Sequence, residues 1–150
     1  MAEATFTVNT DKLEVRIERV FEATPERMWQ AYTDPDQVAQ WWEGTTIDKL
    51  DVRVGGAWHF VSGENGEHGF RGEYTEVDEP HKLVRTFEYE PYPGHVSVES
   101  ATFEPLDGGK TRLTMVQTFA SIDDLNGMVS SGMQRGALAG LERLAKVVEA

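Results

Sequence analysis

The sequence predicts an α+β fold in which a long C-terminal helix lies across the concave face of a curved, seven-stranded antiparallel sheet. Between Thr45 and Phe119, short alternating runs of apolar and polar residues are separated by turn residues, which is typical of an antiparallel meander. After Ser121, apolar residues recur at every third or fourth position almost to the C-terminus, which indicates an amphipathic helix. Because one helix cannot cover a flat sheet of this width, we expect the sheet to curl and to leave a small-molecule cavity beneath the helix.

The chain before the meander is predicted to form one strand and two short helices. Leu13, Val15 and Ile17 alternate with charged residues, which is the period of a strand with one buried face. At each helix start, a side-chain oxygen that can cap free backbone amides precedes a proline at the first helical position. We expect the strand at residues 13–21 and the helices at Pro25–Thr33 and Pro35–Trp41.

The meander itself is predicted to contain six strands. Glycine, proline and aspartate residues mark the turns between them, as in Gly55-Gly56 and Asp107–Gly109. The strands are expected near residues 46–54, 57–62, 68–77, 82–89, 96–105 and 110–119.

The final helix is expected to run from Ile122 to Val148. Ser121 and Asp124 have the spacing of a capping box at its start. Four glycines inside it each cost about 1 kcal/mol relative to alanine, so they indicate either a kink or a close approach of another group. These glycines are Gly127, Gly132, Gly136 and Gly140.

Length and composition favour a single cytoplasmic domain over residues 1–150. No apolar run reaches the roughly 18 residues of a membrane span, and the N-terminus lacks the basic and apolar regions of a signal peptide. The chain has no cysteine, which rules out disulfides and thiolate nucleophiles. The net charge of −12 should repel a phosphate backbone, so we expect neither nucleic acid nor membrane as a partner.

The sequence contains no common catalytic or metal-binding motif. It lacks a GxSxG elbow, a glycine-rich phosphate loop and the HxH or HExxH spacing of metal-binding histidines. We therefore assign no catalytic residue, expect no cofactor and expect no metal site. The histidines, which we interpret as surface residues beside turns, are His59, His68, His81 and His95.

Strand parity places three polar residues on apolar faces of the later strands. Arg85 shares a face with Leu83 and Phe87. Glu99 shares one with Ala101 and Phe103, and Gln117 shares one with Leu113, Met115 and Phe119. If the hairpin turns centre near residues 79, 92 and 108, Tyr74, Arg85, Glu99 and Gln117 lie side by side across four strands. Such a row could orient a ligand in an apolar cavity, with Arg85 and Glu99 neutralising each other. The alternatives are an ion pair at the open end of the sheet with no ligand role, or a register slip that turns these faces outward.

Several segments together resemble one known family. Residues 19–35 read RVFEATPERMWQAYTDP and resemble the opening of the Aha-type family of activator of Hsp90 ATPase homologues, in the START-like (SRPBCC, birch-pollen-allergen) superfamily. The resemblance covers residues 13–148 and implies the helix-grip fold of that superfamily. Many relatives carry tryptophan directly after a helix glycine where this chain has Ala137, so we expect Ala137 to face the sheet and to border an enlarged cavity. The other matching segments are Trp41-Trp42 and residues 55–60, 71–78, 82–84, 110–113 and 136–144.

Three functions remain open from the sequence. The architecture favours binding of a small hydrophobic or aromatic molecule. The resemblance implies two alternatives: a cyclase- or aromatase-like enzyme using Arg85, Glu99, Tyr74 and His59 as acids and bases, or a chaperone-associated stress protein. The co-chaperone that names the family has two domains and this chain resembles only the C-terminal one, so the stimulating activity does not carry over. The chain could be a monomer or a homodimer. The candidate ligand-binding residues are Trp41, Trp42, Trp58, Phe60, Phe70, Tyr74, Arg85, Phe87, Glu99, Phe103, Met115, Gln117, Met133 and Ala137.

Overall fold

A computed structural model describes residues 3–42 and 44–149, and it shows an eight-stranded antiparallel sheet with four helices. The spatial order of the strands is β1-β2-β8-β7-β6-β5-β4-β3, so the first two strands join the end of the meander. No helix in the described ranges is long and apolar enough to cross a membrane. In chain order the elements are β1 (Thr5–Asn9), β2 (Glu14–Phe21), α1 (Pro25–Thr33), α2 (Pro35–Trp41), β3 (Thr45–Leu50), β4 (Ala57–Ser62), β5 (His68–Asp78), β6 (Lys82–Tyr89), β7 (Val96–Leu106), β8 (Lys110–Thr118), α3 (Ile122–Ser130) and α4 (Met133–Val148).

The two short helices have the predicted bounds, and their caps explain why. The Thr24 hydroxyl accepts from the Arg27 amide at 3.2 Å, and an Asp34 carboxylate oxygen accepts from the Asp36 amide at 3.1 Å. Both helices place proline in the first turn, where its missing N–H costs nothing. The local signals in the sequence are therefore sufficient to define α1 and α2.

The sheet differs from the prediction in strand number and in the length of β3. An extra edge strand, β1, pairs with β2 through a tight turn in which Asn9 Oδ1 accepts from the amides of residues 11 and 12. Strand β3 ends at Leu50 and not near residue 54, because the chain turns back over residues 51–56. Bulges in β3 and β5 add local bends to the sheet.

The prediction of one continuous final helix is wrong, because the chain breaks between α3 and α4. Gly132 has φ 95°, a left-handed conformation that favours glycine. The hydroxyls of Ser130 and Ser131 bond back to the carbonyls of Asn126 and Met128 at 2.6 Å, which closes the last turn of α3. The sequence allowed the helix glycines to mark either a kink or a close approach of another group. At Gly132 the glycine marks a kink.

Helix α4 is attached to its surroundings by arginines that donate to main-chain carbonyls. Buried Arg19 on β2 donates from Nη1 to the Leu141 carbonyl at 2.9 Å. Arg27 on α1 donates to the Val147 carbonyl at 2.8 Å, and Arg143 on α4 donates to the Trp41 carbonyl at 3.0 Å. The arrangement is the helix-grip fold that the resemblance implied, with α4 held over the concave face of the sheet.

Candidate functional site

A cavity of about 430 Å³ lies between the concave face of the sheet and the C-terminal helices. Val15 and Ile17 on β2, together with residues of β5 to β8, form one wall. Met128 on α3 and Leu141 on α4 belong to the opposite wall. The volume falls in the range of about 300–1,000 Å³ that is usual for small-molecule sites.

Eleven of the fourteen predicted ligand-binding residues line this cavity. The adjacent Trp41 and Trp42 both contribute to its wall: Trp41 is buried, with its indole N–H donating to the Ala31 carbonyl at 2.9 Å, and Trp42 is half-buried. Ala137 of α4 also lies on the cavity wall. The eleven residues are Trp41, Trp42, Phe70, Tyr74, Arg85, Phe87, Glu99, Met115, Gln117, Met133 and Ala137.

Three predicted residues lie beneath the cavity wall and do not line it: Trp58, Phe60 and Phe103, each about 1% exposed. Trp58 donates its indole N–H to the Thr86 carbonyl at 3.0 Å, and the Arg85 guanidinium covers its ring at 3.9 Å. Phe103 packs edge-on against Tyr32 of α1. All three are buried in the core, and neighbouring side chains separate them from the cavity.

The predicted row of polar residues is present in the strand register. Tyr74 pairs with Arg85, Arg85 with Glu99, and Glu99 with Gln117 across β5, β6, β7 and β8. Arg85 Nε donates to Glu99 Oε1 at 2.8 Å, and the two side chains are 16% and 21% exposed. All four residues line the cavity. The row therefore forms a polar strip on an otherwise largely apolar wall.

The electrostatics of the row keep Arg85 charged and Tyr74 neutral. Burial lowers the pKa of Arg85, but the charge of Glu99 and the neighbouring Tyr74 hydroxyl outweigh burial, so that the pKa is raised. Burial raises the pKa of Tyr74, and attraction to Arg85 offsets only part of this increase. Arg85 and Glu99 thus form an ion pair whose charges largely cancel at the cavity wall.

The fourth member of the row, Gln117, is fixed by a hydrogen-bond chain. Its side-chain amide donates to the Ser97 hydroxyl at 2.8 Å, and that hydroxyl donates to the Phe87 carbonyl at 3.4 Å. Gln117 and Ser97 are both buried. The amide is therefore oriented before any ligand arrives.

Five polar residues of the described wall were missed from the sequence: Tyr32 on α1, Arg143 on α4, and Thr45, Ser62 and Ser100. The Tyr32 hydroxyl is buried, has no hydrogen-bond partner among the described residues, and has a pKa that burial raises. Tyr32 follows buried Met28 by four residues, so helical spacing was a usable signal for its inward face. Arg143 offered no comparable signal, because its position depends on how α4 meets α2.

His59 lies outside the cavity, contrary to its grouping with Arg85, Glu99 and Tyr74 as an acid–base candidate. It projects from the opposite face of β4 to Trp58, with Nδ1 at 2.7 Å from Asp48 Oδ2 and Nε2 at 3.0 Å from Glu90 Oε1. Hydrogen bonds to these two carboxylates raise the pKa of His59. Among the residues with described positions, no cluster of three His, Asp or Glu side chains is suited to a metal ion.

Comparisons with known proteins agree with this architecture. A protein from Mycobacterium smegmatis, Ms6760, has a crystal structure with a TM-score of 0.88 at 29% identity, over 99% of this chain and 97% of that one. An Arthrobacter aurescens protein solved by NMR has a TM-score of 0.87 at 24% identity, over 97% and 91% of the two chains. An HSP90 activator from Plasmodium falciparum has a TM-score of 0.62 at 22% identity, over 71% and 72%.

The sequence comparisons give the family. Among curated proteins there is no match. The family model described as "Activator of Hsp90 ATPase homolog 1-like protein" matches residues 22–149. This match spans α1 through α4 and includes every described lining residue of the cavity outside β2. The chain therefore belongs to the family of activator of Hsp90 ATPase homolog 1-like proteins.

Proposed function

We propose that this chain binds a small hydrophobic or aromatic molecule in the cavity beneath α4. The observation that carries the proposal is the cavity itself, about 430 Å³ in volume and lined mainly by apolar and aromatic side chains. Well-packed protein interiors contain few voids larger than a water molecule, so space of this size needs an explanation. A ligand that fills it would gain both the hydrophobic transfer energy and the missing dispersion contacts.

The aromatic side chains around the cavity support a planar ligand. Trp42 meets Phe70 edge-on with ring centroids 6.1 Å apart, and Phe70 lies 5.6 Å from Phe87. Such rings offer both faces and edges to an incoming aromatic ring, and each favourable pair contributes roughly 0.5–1.5 kcal/mol beyond area burial. These three side chains line one side of the cavity.

The glycines of α4 support the proposal from the opposite wall. Gly136 and Gly140 both line the cavity. A Cβ at Gly136 would meet no atom within 4 Å, and one at Gly140 would meet only Arg143 Nη2 at 3.9 Å. No packing contact requires glycine at these positions, although each costs about 1 kcal/mol in a helix. The bare backbone instead leaves room for something other than this chain's own side chains.

Uptake of a neutral apolar dye, N-phenylnaphthylamine, tests the proposal. Ala137→Trp should fill part of the cavity and reduce dye uptake several-fold, because Ala137 lines it. Ala139→Trp is the matched control, since Ala139 lies on the exposed face of the same helix and should leave uptake unchanged. If Ala137→Trp folds normally and binds the dye as the wild type does, the proposed cavity is not the binding site.

The family match supports a second candidate, contact with an Hsp90-type chaperone. The measurement is direct binding of the chain to a purified Hsp90-type chaperone by isothermal titration calorimetry. Binding would favour this candidate, and dye uptake without chaperone binding would favour ligand binding alone.

A further inference from the structure

We propose that Glu99 makes the cavity selective for neutral ligands, namely aromatic molecules that carry an uncharged group able both to donate and to accept hydrogen bonds, such as a carboxamide. This inference rests on the proposed function. It adds the chemical class of the ligand and the residue that selects it.

The described cavity wall carries three charged side chains. The charged residues that line it are Arg85, Glu99 and Arg143, so Glu99 is the one carboxylate among the described lining residues. Arg143 donates from Nε to the Trp41 carbonyl at 3.0 Å. Arg85 donates from Nε to Glu99 at 2.8 Å, which neutralises the charge in the middle of the polar row. The row therefore presents a donor and an acceptor without a net charge, while Arg143 of α4 adds a second guanidinium to the cavity wall.

Arg85 is held in place, which prevents it from leaving Glu99 to serve an anion. Its guanidinium stacks 3.9 Å above the Trp58 ring and 5.6 Å from the Phe60 ring. The strands on both sides of β6 fix its backbone between Tyr74 and Glu99. An anionic ligand would have to share Arg85 with the Glu99 carboxylate, and like charges repel strongly where water is scarce.

A neutral amide fits the same groups without that repulsion. A guanidinium has five N–H donors and a carboxylate has about four acceptor positions, so the bond between Arg85 and Glu99 leaves capacity on each side. Both side chains remain partly exposed, at 16% and 21%. A carboxamide oxygen can accept from Arg85 while its NH₂ donates to Glu99.

The experiment compares three probes of one ring system by isothermal titration calorimetry at neutral pH: naphthamide, the isosteric anion naphthoate, and methylnaphthalene. Wild-type protein should bind naphthamide at least about tenfold more tightly than naphthoate. Glu99→Gln should remove or reverse this preference, because Arg85 then lacks its carboxylate and can pair with the anion. Methylnaphthalene, which has neither a carboxamide nor a carboxylate, reports whether each protein binds the ring system at all.

A matched control variant is available on the same strand. Glu104 of β7 accepts from Arg112 at 2.8 Å, but both side chains are exposed and neither lines the cavity. Glu104→Gln therefore breaks a cross-strand pair of the same kind outside the site. It should retain the wild-type preference for naphthamide.

The outcomes separate this inference from the proposed function. If wild-type protein binds naphthoate as tightly as naphthamide, the inference is overturned, and this comparison requires no variant to fold. If the preference exists but Glu99→Gln leaves it unchanged, Glu99 is not its source and the inference is overturned. In both cases binding of methylnaphthalene would leave the proposed function intact. If none of the three probes binds, both proposals are wrong.

Discussion

Arg85 and Glu99 show how a polar pair can persist within an apolar wall. Each is only partly exposed, and each would cost free energy if left without the other. Stacking of the Arg85 guanidinium on Trp58 adds a contact that is independent of the charge pair. Replacement of Arg85 alone removes both the ion pair with Glu99 and the stacking on Trp58. The strength of the ion pair is therefore measured by changing Arg85 and Glu99 singly and together.

Unfolding free energies in denaturant should show coupling between the two residues. We expect the double variant of Arg85→Met and Glu99→Gln to lose less unfolding free energy than the two single variants lose in sum. The difference, which is the coupling energy, should be at least about 1 kcal/mol. The exposed pair of Arg112 and Glu104 serves as the control, with an expected coupling below about 0.5 kcal/mol. Equal coupling in the two pairs would mean that the cavity wall gives Arg85 and Glu99 no special environment.

On the other face of the sheet, the environment of His59 predicts that its contribution to the stability of the fold depends on pH. Its hydrogen bonds to Asp48 and Glu90 raise its pKa above the ordinary 6.5, so folding favours the protonated ring. The resulting stability is fully present below pH 6.5 and is lost as the pH rises through the higher pKa of the folded state.

Replacement of His59 should therefore matter more in acid than in base. His59→Asn should lower the free energy of unfolding at about pH 5.5, by less than about 1 kcal/mol because the ring is partly exposed, and should have a smaller effect at about pH 9. His81→Asn is the control, since His81 is exposed and its side chain has no hydrogen bond or ion pair among the described residues. A destabilisation by His59→Asn that is the same at both pH values would contradict the proposed role of the ring charge.

At the scale of elements, two glycines of the single helix that the sequence predicted have different structural roles. Gly132 has φ 95° at the break between α3 and α4, a left-handed conformation that glycine adopts more easily than other residues. Gly136 sits four residues later inside α4 and faces open space. The sequence alone could not distinguish them, because the position of the break depends on how α3 and α4 pack separately.

Alanine substitutions at these two glycines should have opposite effects on stability. Gly132→Ala should cost about 1 kcal/mol or more, because alanine disfavours a positive φ. Gly136→Ala should stabilise by about 0.5–1 kcal/mol, because its helical backbone accepts alanine and the new methyl group meets no atom. Urea unfolding of the two variants checks this prediction, and a change of the same sign in both would refute it.

At the scale of the whole molecule, the sequence predicted the register of the sheet better than it predicted which side chains line the cavity. Period-two alternation and turn positions were enough to align Tyr74, Arg85, Glu99 and Gln117, since a slip by one residue would expose every apolar side chain of a strand. Strand β1 was missed because a five-residue edge strand with two apolar residues leaves a weak pattern. Trp58 and Phe103 were predicted to line the cavity but do not, because this depends on which neighbouring side chain covers each ring.

The methionines allow the central claim, that the cavity binds a small apolar molecule, to be tested directly. Met115, Met128 and Met133 line the cavity, whereas Met28 lies fully buried in the core and does not. The measurement is an NMR titration of methyl-¹³C-methionine protein with N-phenylnaphthylamine, with intermolecular NOEs recorded at saturation. We predict shift changes and NOEs at the three cavity methionines and none at Met28. A dye that binds without NOEs to any of those three methyl groups would contradict the claim.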